Sequence, residues 1–126
     1  MFNTHGGDSE VLWVVYRSSD THVTRLENHS LTQQAIVPLT GPIIQIVGLS
    51  SADGSPDTGS LKAFKVLPGQ GICMRVGCWH ATRVEQDPVT CAMLSRRSTT
   101  LDLAEHLNKG TDLSESAYHS VSLLLT

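Results

Sequence analysis

Pro68-Gly69-Gln70-Gly71-Ile72-Cys73-Met74-Arg75-Val76-Gly77-Cys78-Trp79-His80 is the stretch that decides how this chain folds. A Gly-rich turn opens it, because Gly69 and Gly71 can take positive φ and let the chain reverse tightly. A short apolar strand, Ile72–Val76, follows, and Gly77 bends it. Trp79 and His80 then stand at a strand end, where pocket walls are often built. The stretch predicts a small β domain with a histidine and an aromatic ring at a pocket.

Upstream, Leu61–Leu67 alternates Leu61, Ala63, Lys65 and Leu67 against Lys62, Phe64 and Val66, which reads as a strand. Ser50–Ser60 is a surface loop of Ser, Gly, Pro and Asp. Gln34–Leu39 and Pro42–Leu49 are two strands, and Thr40-Gly41 between them signals a tight hairpin. Pro38 and Pro42 suit strand ends, since proline donates nothing to a ladder. In Thr21–His29, Val23, Arg25, Glu27 and His29 share one face and Thr24, Leu26 and Asn28 the other. Three polar residues in register fit either a solvated face or a polar pocket lining. Glu10–Arg17 is apolar on both faces, which predicts a strand buried on both sides with Trp13 in the core. Residues 1–9 read as a loose arm.

Downstream, Ala81–Glu85 and Val89–Ser95 are two more strands around Gln86-Asp87-Pro88. The period then changes. Leu101, Leu103, Ala104 and Leu107 predict a helix over Thr99–Asn108, capped by Thr99 or Thr100 and ended by Lys109-Gly110. Ser114–Thr126 fits either a last strand or a docking tail. About eight short strands with turn signals and one late helix predict a single all-β domain over residues 1–126, a jelly-roll barrel.

The chain's 126 residues can bury one core. A net charge of −3 without a basic patch argues against nucleic acid as a partner. No apolar run approaches a membrane span, and no leader opens the chain, so membrane partners are not expected. Cys73, Cys78 and Cys91 lack zinc-ribbon spacing; an odd count without a leader predicts reduced thiols and a cytoplasmic protein. Cys73 and Cys78, in apolar surroundings, read as inert core thiols.

His29-Ser-Leu-Thr-Gln-Gln34-Ala-Ile-Val-Pro38-Leu-Thr-Gly41 resembles the His-Pro-x-x-x-Gln-x-Phe-x-Pro-Leu-x-Gly stretch of ureidoglycolate lyases. Ser60-Leu61-Lys62-Ala63-Phe64, Gly69-Gln70-Gly71 and Trp79-His80 resemble that family's Leu-Arg-Ala-Phe, Gly-Gln-Gly-Val and Trp-His run. Order and spacing agree from Glu27 to His80, with a weaker likeness to about residue 97. The resemblance implies a cupin-like double-stranded β-helix, often a homodimer, that splits ureidoglycolate into glyoxylate and urea in purine catabolism. Arg75 stands where the family tends to have His, and Arg96 where it tends to have an acidic residue. The family pattern also extends several tens of residues further upstream.

Among single residues, His80 is the first candidate for catalysis, since a neutral imidazole serves as general base or acid near neutral pH. Glu27 and His29 are the next, as proton carriers, with Gln34 donating hydrogen bonds to substrate. The resemblance also implies a possible metal set of His29, Gln34 and His80 with Glu27 beside them, in which Gln is the weak ligand, so the cofactor is either none or a divalent ion. Arg75 could clamp a carboxylate, with Arg25 and Arg96 as helpers. Trp79 covers the site or packs beneath it. His5, His22, His106 and His119 read as surface residues. The expected partner is a small anionic metabolite, and a homodimer would cover exposed edge strands. Three functions compete: the lyase, a retuned isomerase, cyclase or lyase for another anionic carbonyl-containing metabolite, and a non-catalytic small-molecule-binding cupin.

Overall fold

A computed structural model describes all of residues 1–126. Nine strands and one helix follow in the order β1 Ser9–Tyr16, β2 His22–His29, β3 Gln34–Pro38, β4 Ile43–Gly48, β5 Lys62–Val66, β6 Ile72–Met74, β7 Trp79–Val84, β8 Val89–Arg96, α1 Arg97–Lys109 and β9 Ser116–Leu124. The last segment is therefore a strand. Two antiparallel sheets face each other, one ordered β1-β8-β3-β6 and the other β5-β4-β7-β2-β9. This is the jelly-roll barrel expected from the strand count. No helix is long and apolar enough to cross a membrane.

The expected hairpin at Thr40-Gly41 is not one. β3 pairs with β6 and β8, whereas β4 pairs with β5 and β7, so the chain crosses from one sheet to the other. Pro38 and Pro42 suit such a corner, because each removes a ladder donor where pairing must stop. At the other turn only Gly69 takes positive φ, +84°. Gly71 meets a different constraint: a Cβ there would lie 3.2 Å from Val37 Cγ2, a tight contact that the valine side chain would have to relieve by a few tenths of an ångström.

The barrel interior is graded along its axis. At one end Ile36, Ile43, Val66, Val84, Val89 and Cys91 form the core, each burial stabilising the fold by roughly 1.5–3 kcal/mol for the larger side chains. In the middle, Thr82 Oγ1 donates to Gln45 Oε1 at 2.7 Å, and Gln45 Nε2 donates to Met74 Sδ at 3.4 Å. The other end is polar and carries His29, Gln34, His80 and Ser95. Cross-strand register sets the gradient, since Ile43 opposes Val84, Gln45 opposes Thr82, and Val47 opposes His80.

A second, smaller core sits behind the β4-β7-β2 sheet, where Val23, Leu26, Ile46 and Trp79 pack under the loop and tail residues Leu61 and Leu125. Its existence depends on a register shift between Val23 and Arg25, which breaks the alternation expected of β2. Glu27 and His29 then face the interior, and His29 lines a cleft there.

The expected burial of β1 on both sides also fails. β1 is an edge strand, and Trp13 is 69 % exposed beside Val11 and Val15. Leu12, Val14 and Tyr16 alone face the core. Cys73 is likewise exposed and Cys78 half-buried, leaving Cys91 as the buried thiol; all three are free.

The helix starts two residues before the expected Thr99. Arg96 is its N-cap, without a side-chain bond. Thr99 is instead buried, and its Oγ1 donates to Glu115 Oε1 at 2.9 Å. Gly110 closes the helix in the left-handed conformation, as its position after Lys109 predicted.

Candidate functional site

β2 and β7 pair at one position, Glu27 with His80. That register puts both side chains on the interior face, and His29 follows Glu27 at the strand's period of two. The ring centroids of His29 and His80 lie 5.0 Å apart. Glu27 Oε1 is 3.4 Å from His80 Nε2 and 4.0 Å from His29 Nε2. Both imidazoles are almost fully buried, while the Glu27 carboxylate is one-third exposed.

The turn after β6 builds the roof. Cys78 N–H donates to the Arg75 carbonyl at 3.1 Å, and Gly77, at φ +80°, sits where such a turn needs a left-handed residue. Gly77 N–H then reaches the His29 carbonyl at 2.8 Å, tying the turn to β2. The Cys78 carbonyl lies 3.0 Å from His80 Nδ1. A carbonyl can only accept, so Nδ1 carries a proton and Nε2 is the atom aimed at Glu27.

His29 has a different environment. Its Nδ1 meets Ser116 Oγ at 2.8 Å, and its buried Nε2 has no hydrogen-bond partner. Burial, reinforced by the charge of His80 and opposed by Glu27, pushes its pKa down to about 4. Burial raises the Glu27 pKa, but the hydrogen bond and charge of His80, then His29 and Arg25, outweigh it and hold the carboxyl below its ordinary range. At neutral pH the site therefore pairs a carboxylate with two histidines, of which His29 stays uncharged.

His29, Thr32, Gln34, Met74, Arg75, Cys78 and His80 line one cleft, packed tightly enough to leave no room for a water molecule. Gln34 Nε2 donates to Ser95 Oγ at 3.2 Å. Arg75 is exposed at the cleft's edge and takes part in none of the molecule's ion pairs. These residues are brought together with His80.

Trp79 and Arg96 are not. Consecutive residues of a strand face opposite sides, so Trp79 lies in the outer core while His80 points inward. Its Nε1 donates to Ser50 Oγ at 3.0 Å, and its ring meets His119 edge-on. The Arg96 guanidinium is held by Glu115 at 3.2 Å, Ser98 Oγ at 2.7 Å and the Thr4 carbonyl at 2.6 Å. It fastens the N-terminal arm and Glu115, and Ser116 beside Glu115 holds His29. Arg25, expected as a helper, stacks its guanidinium 4.0 Å over Tyr118.

Sequence reading missed Ser116, Thr32 and the Gln45–Thr82 pair. Gln45 alone carried a signal, as one amide within Ile43-Ile44-Gln45-Ile46-Val47.

A family model described as ureidoglycolate lyase matches residues 3–114 of this chain. A ureidoglycolate lyase of Rhodobacter capsulatus is 40 % identical over 60 residues, which cover 47 % of this chain and 36 % of that protein. The match thus spans about a third of the relative's length. Among solved structures, a Bacillus halodurans protein superposes with a TM-score of 0.54 at 17 % identity, covering 70 % of this chain and 61 % of that one. RmlC from Streptococcus suis, in complex with dTDP-D-xylose, gives 0.54 at 13 % identity over 70 % and 43 %. The shared architecture is the cupin-like barrel, and it speaks to fold alone.

Proposed function

The chain belongs to the ureidoglycolate lyase family, and from that premise we propose that it cleaves a C–N bond in a small ureido acid. In the specific version, ureidoglycolate gives glyoxylate and urea, as one step of cytoplasmic purine catabolism. The observation that carries this reading is the Glu27–His80 contact at 3.4 Å with His80 Nδ1 anchored on a carbonyl. The cleft is closed to water as it stands, so the Arg75–Cys78 turn that roofs it moves to admit the substrate; His80 Nε2 then takes the proton of the substrate hydroxyl. The oxygen's electron pair forms the carbonyl of glyoxylate as the C–N bond breaks. The imidazolium, steadied by the Glu27 carboxylate, returns that proton to the departing nitrogen, which leaves as urea. Arg75 holds the substrate carboxylate from the cleft's edge.

Glu27, His29 and His80 also fit a divalent ion. One donor atom from each lies within 4.8 Å of the others, and the unpartnered Nε2 of His29 is an orphan that a metal would satisfy. Glu27 and the two histidines form this set, whereas Gln34, the weak ligand of the expected set, is bonded to Ser95. Such an ion would supply Lewis-acid polarisation of a substrate oxygen.

The test is to supply ureidoglycolate and measure glyoxylate. The expected result is release of glyoxylate, with Arg75→Ala raising KM by about tenfold or more, the scale of a lost charge-assisted hydrogen bond. No glyoxylate from native protein, with or without added divalent metal, rejects the reading.

A homodimer is part of the same proposal. On the outer face of the β1-β8-β3-β6 sheet, Val11 aligns with Leu94, Ala35 and Cys73, and Trp13 with Ala92 and Val37. These rows hold no charge, so a second copy can lie on the face without like-charge conflict. Trp13→Glu is expected to convert a dimer into a monomer in light scattering. A native protein that is already monomeric at tens of micromolar rules the surface out.

A further inference from the structure

We infer that the substrate carries an apolar group beside its carboxylate, received by a groove next to the histidine cleft. This deepens the lyase reading and relies on it only for the chemistry at the reacting end. The groove holds about 270 Å³ between β6 and the end of β4. Val47, Leu49, Ile72 and Val76 form its apolar walls. It arises because β6, only three residues long, is the last strand of its sheet, and nothing pairs with its free edge. Leu49 is left 64 % exposed there.

Met74, Arg75 and Cys78 line both this groove and the histidine cleft. Arg75 therefore stands at the junction, with no protein carboxylate on it. A ligand with its carboxylate on Arg75 has the imidazoles on one side and the apolar groove on the other. Ureidoglycolate has almost no hydrocarbon surface to bury in such a groove. The volume is close to the lower bound for pockets that hold larger organic ligands. The lining thus selects an acid with a hydrocarbon substituent of several carbons, its reacting carbon next to the carboxylate.

The experiment is calorimetric titration with straight-chain carboxylates from acetate to octanoate, and with the matching alcohols. Each added methylene is expected to tighten binding about fourfold until the groove is full. Each acid should exceed its alcohol by tenfold or more. Leu49→Asp, at an exposed position that tolerates charge, should flatten the dependence on length. Arg75→Ala should erase the difference between acid and alcohol while keeping that dependence. Affinity that ignores chain length in the native protein, absence of binding at every length, or an unchanged slope in Leu49→Asp overturns the inference. Glyoxylate release is read separately. Turnover of ureidoglycolate with a flat series removes the groove alone, and a steep series without turnover removes ureidoglycolate cleavage alone.

Discussion

Replacing His80 by asparagine is expected to lower kcat for glyoxylate release by about 10²–10⁴-fold, the range for loss of a positioned general acid–base group. Asparagine is the informative change. Its amide N–H can take over the 3.0 Å bond that His80 Nδ1 makes to the Cys78 carbonyl. Nothing replaces Nε2, so the atom facing Glu27 at 3.4 Å is gone while the turn above it keeps its anchor. Substrate affinity rests on Arg75 and should change little, so the loss falls on kcat and leaves KM near its native value. Midpoints of urea unfolding control for damage to the fold. A variant that unfolds at native urea concentrations yet keeps more than a tenth of native kcat removes His80 from the chemistry. A fall in KM and kcat together would instead point to strain in the bound state.

Much of this arrangement can be read from residue order, because a strand's period of two and the turn residues are local properties. The Pro68–His80 stretch predicts a turn, a short strand and a Trp-His pair closing that strand; the turn and strand stand where expected, whereas Trp79 and His80 open the next strand, β7, beyond the turn at Arg75–Cys78. Long-range facts were beyond reach. Thr40-Gly41 signals a reversal, but no turn residue says which sheet the next strand will join. Trp13 lies in a strand with two apolar faces, and apolarity alone does not separate burial by the same chain from exposure awaiting a partner. Glu27 and His29 were ambiguous for a related reason: the register shift at Val23 decides which side of β2 faces the interior, and it has no marker in the local sequence. Arg96 was misplaced because its partner, Glu115, arrives only after the helix. Trp79 is the opposite case. Alternation already requires it to face away from His80, so its absence from the site was available from two adjacent letters of sequence.

Acid is expected to destabilise the metal-free fold well above the range where carboxylates titrate. His29 is 3 % exposed, and its pKa falls from 6.5 in an open chain to about 4 in the fold. Between those values the unfolded chain binds a proton that the folded one refuses, so unfolding becomes easier as pH drops. The stability in question is complete above about pH 6.5 and is lost progressively down to about pH 4. The gap corresponds to roughly 3 kcal/mol in all, of which about 2 kcal/mol is gone by pH 5. That is a large share of the 5–15 kcal/mol typical of a domain. Glu27 adds a loss of the same sign at lower pH: its folded pKa lies below the ordinary value of 4.5, so its contribution survives until pH falls through that lowered value. The two groups thus act in successive windows. Urea unfolding in steps from about pH 7 to about pH 4.5, with a chelator present so that protons alone compete for the cluster, measures the first window. His29→Asn, whose short amide can still meet Ser116, should flatten the curve between about pH 6.5 and pH 5 while leaving the steeper acid limb. A native curve already flat across that interval would mean that the ring takes up its proton inside the fold, and His29 could then share the positive charge assigned here to His80 alone.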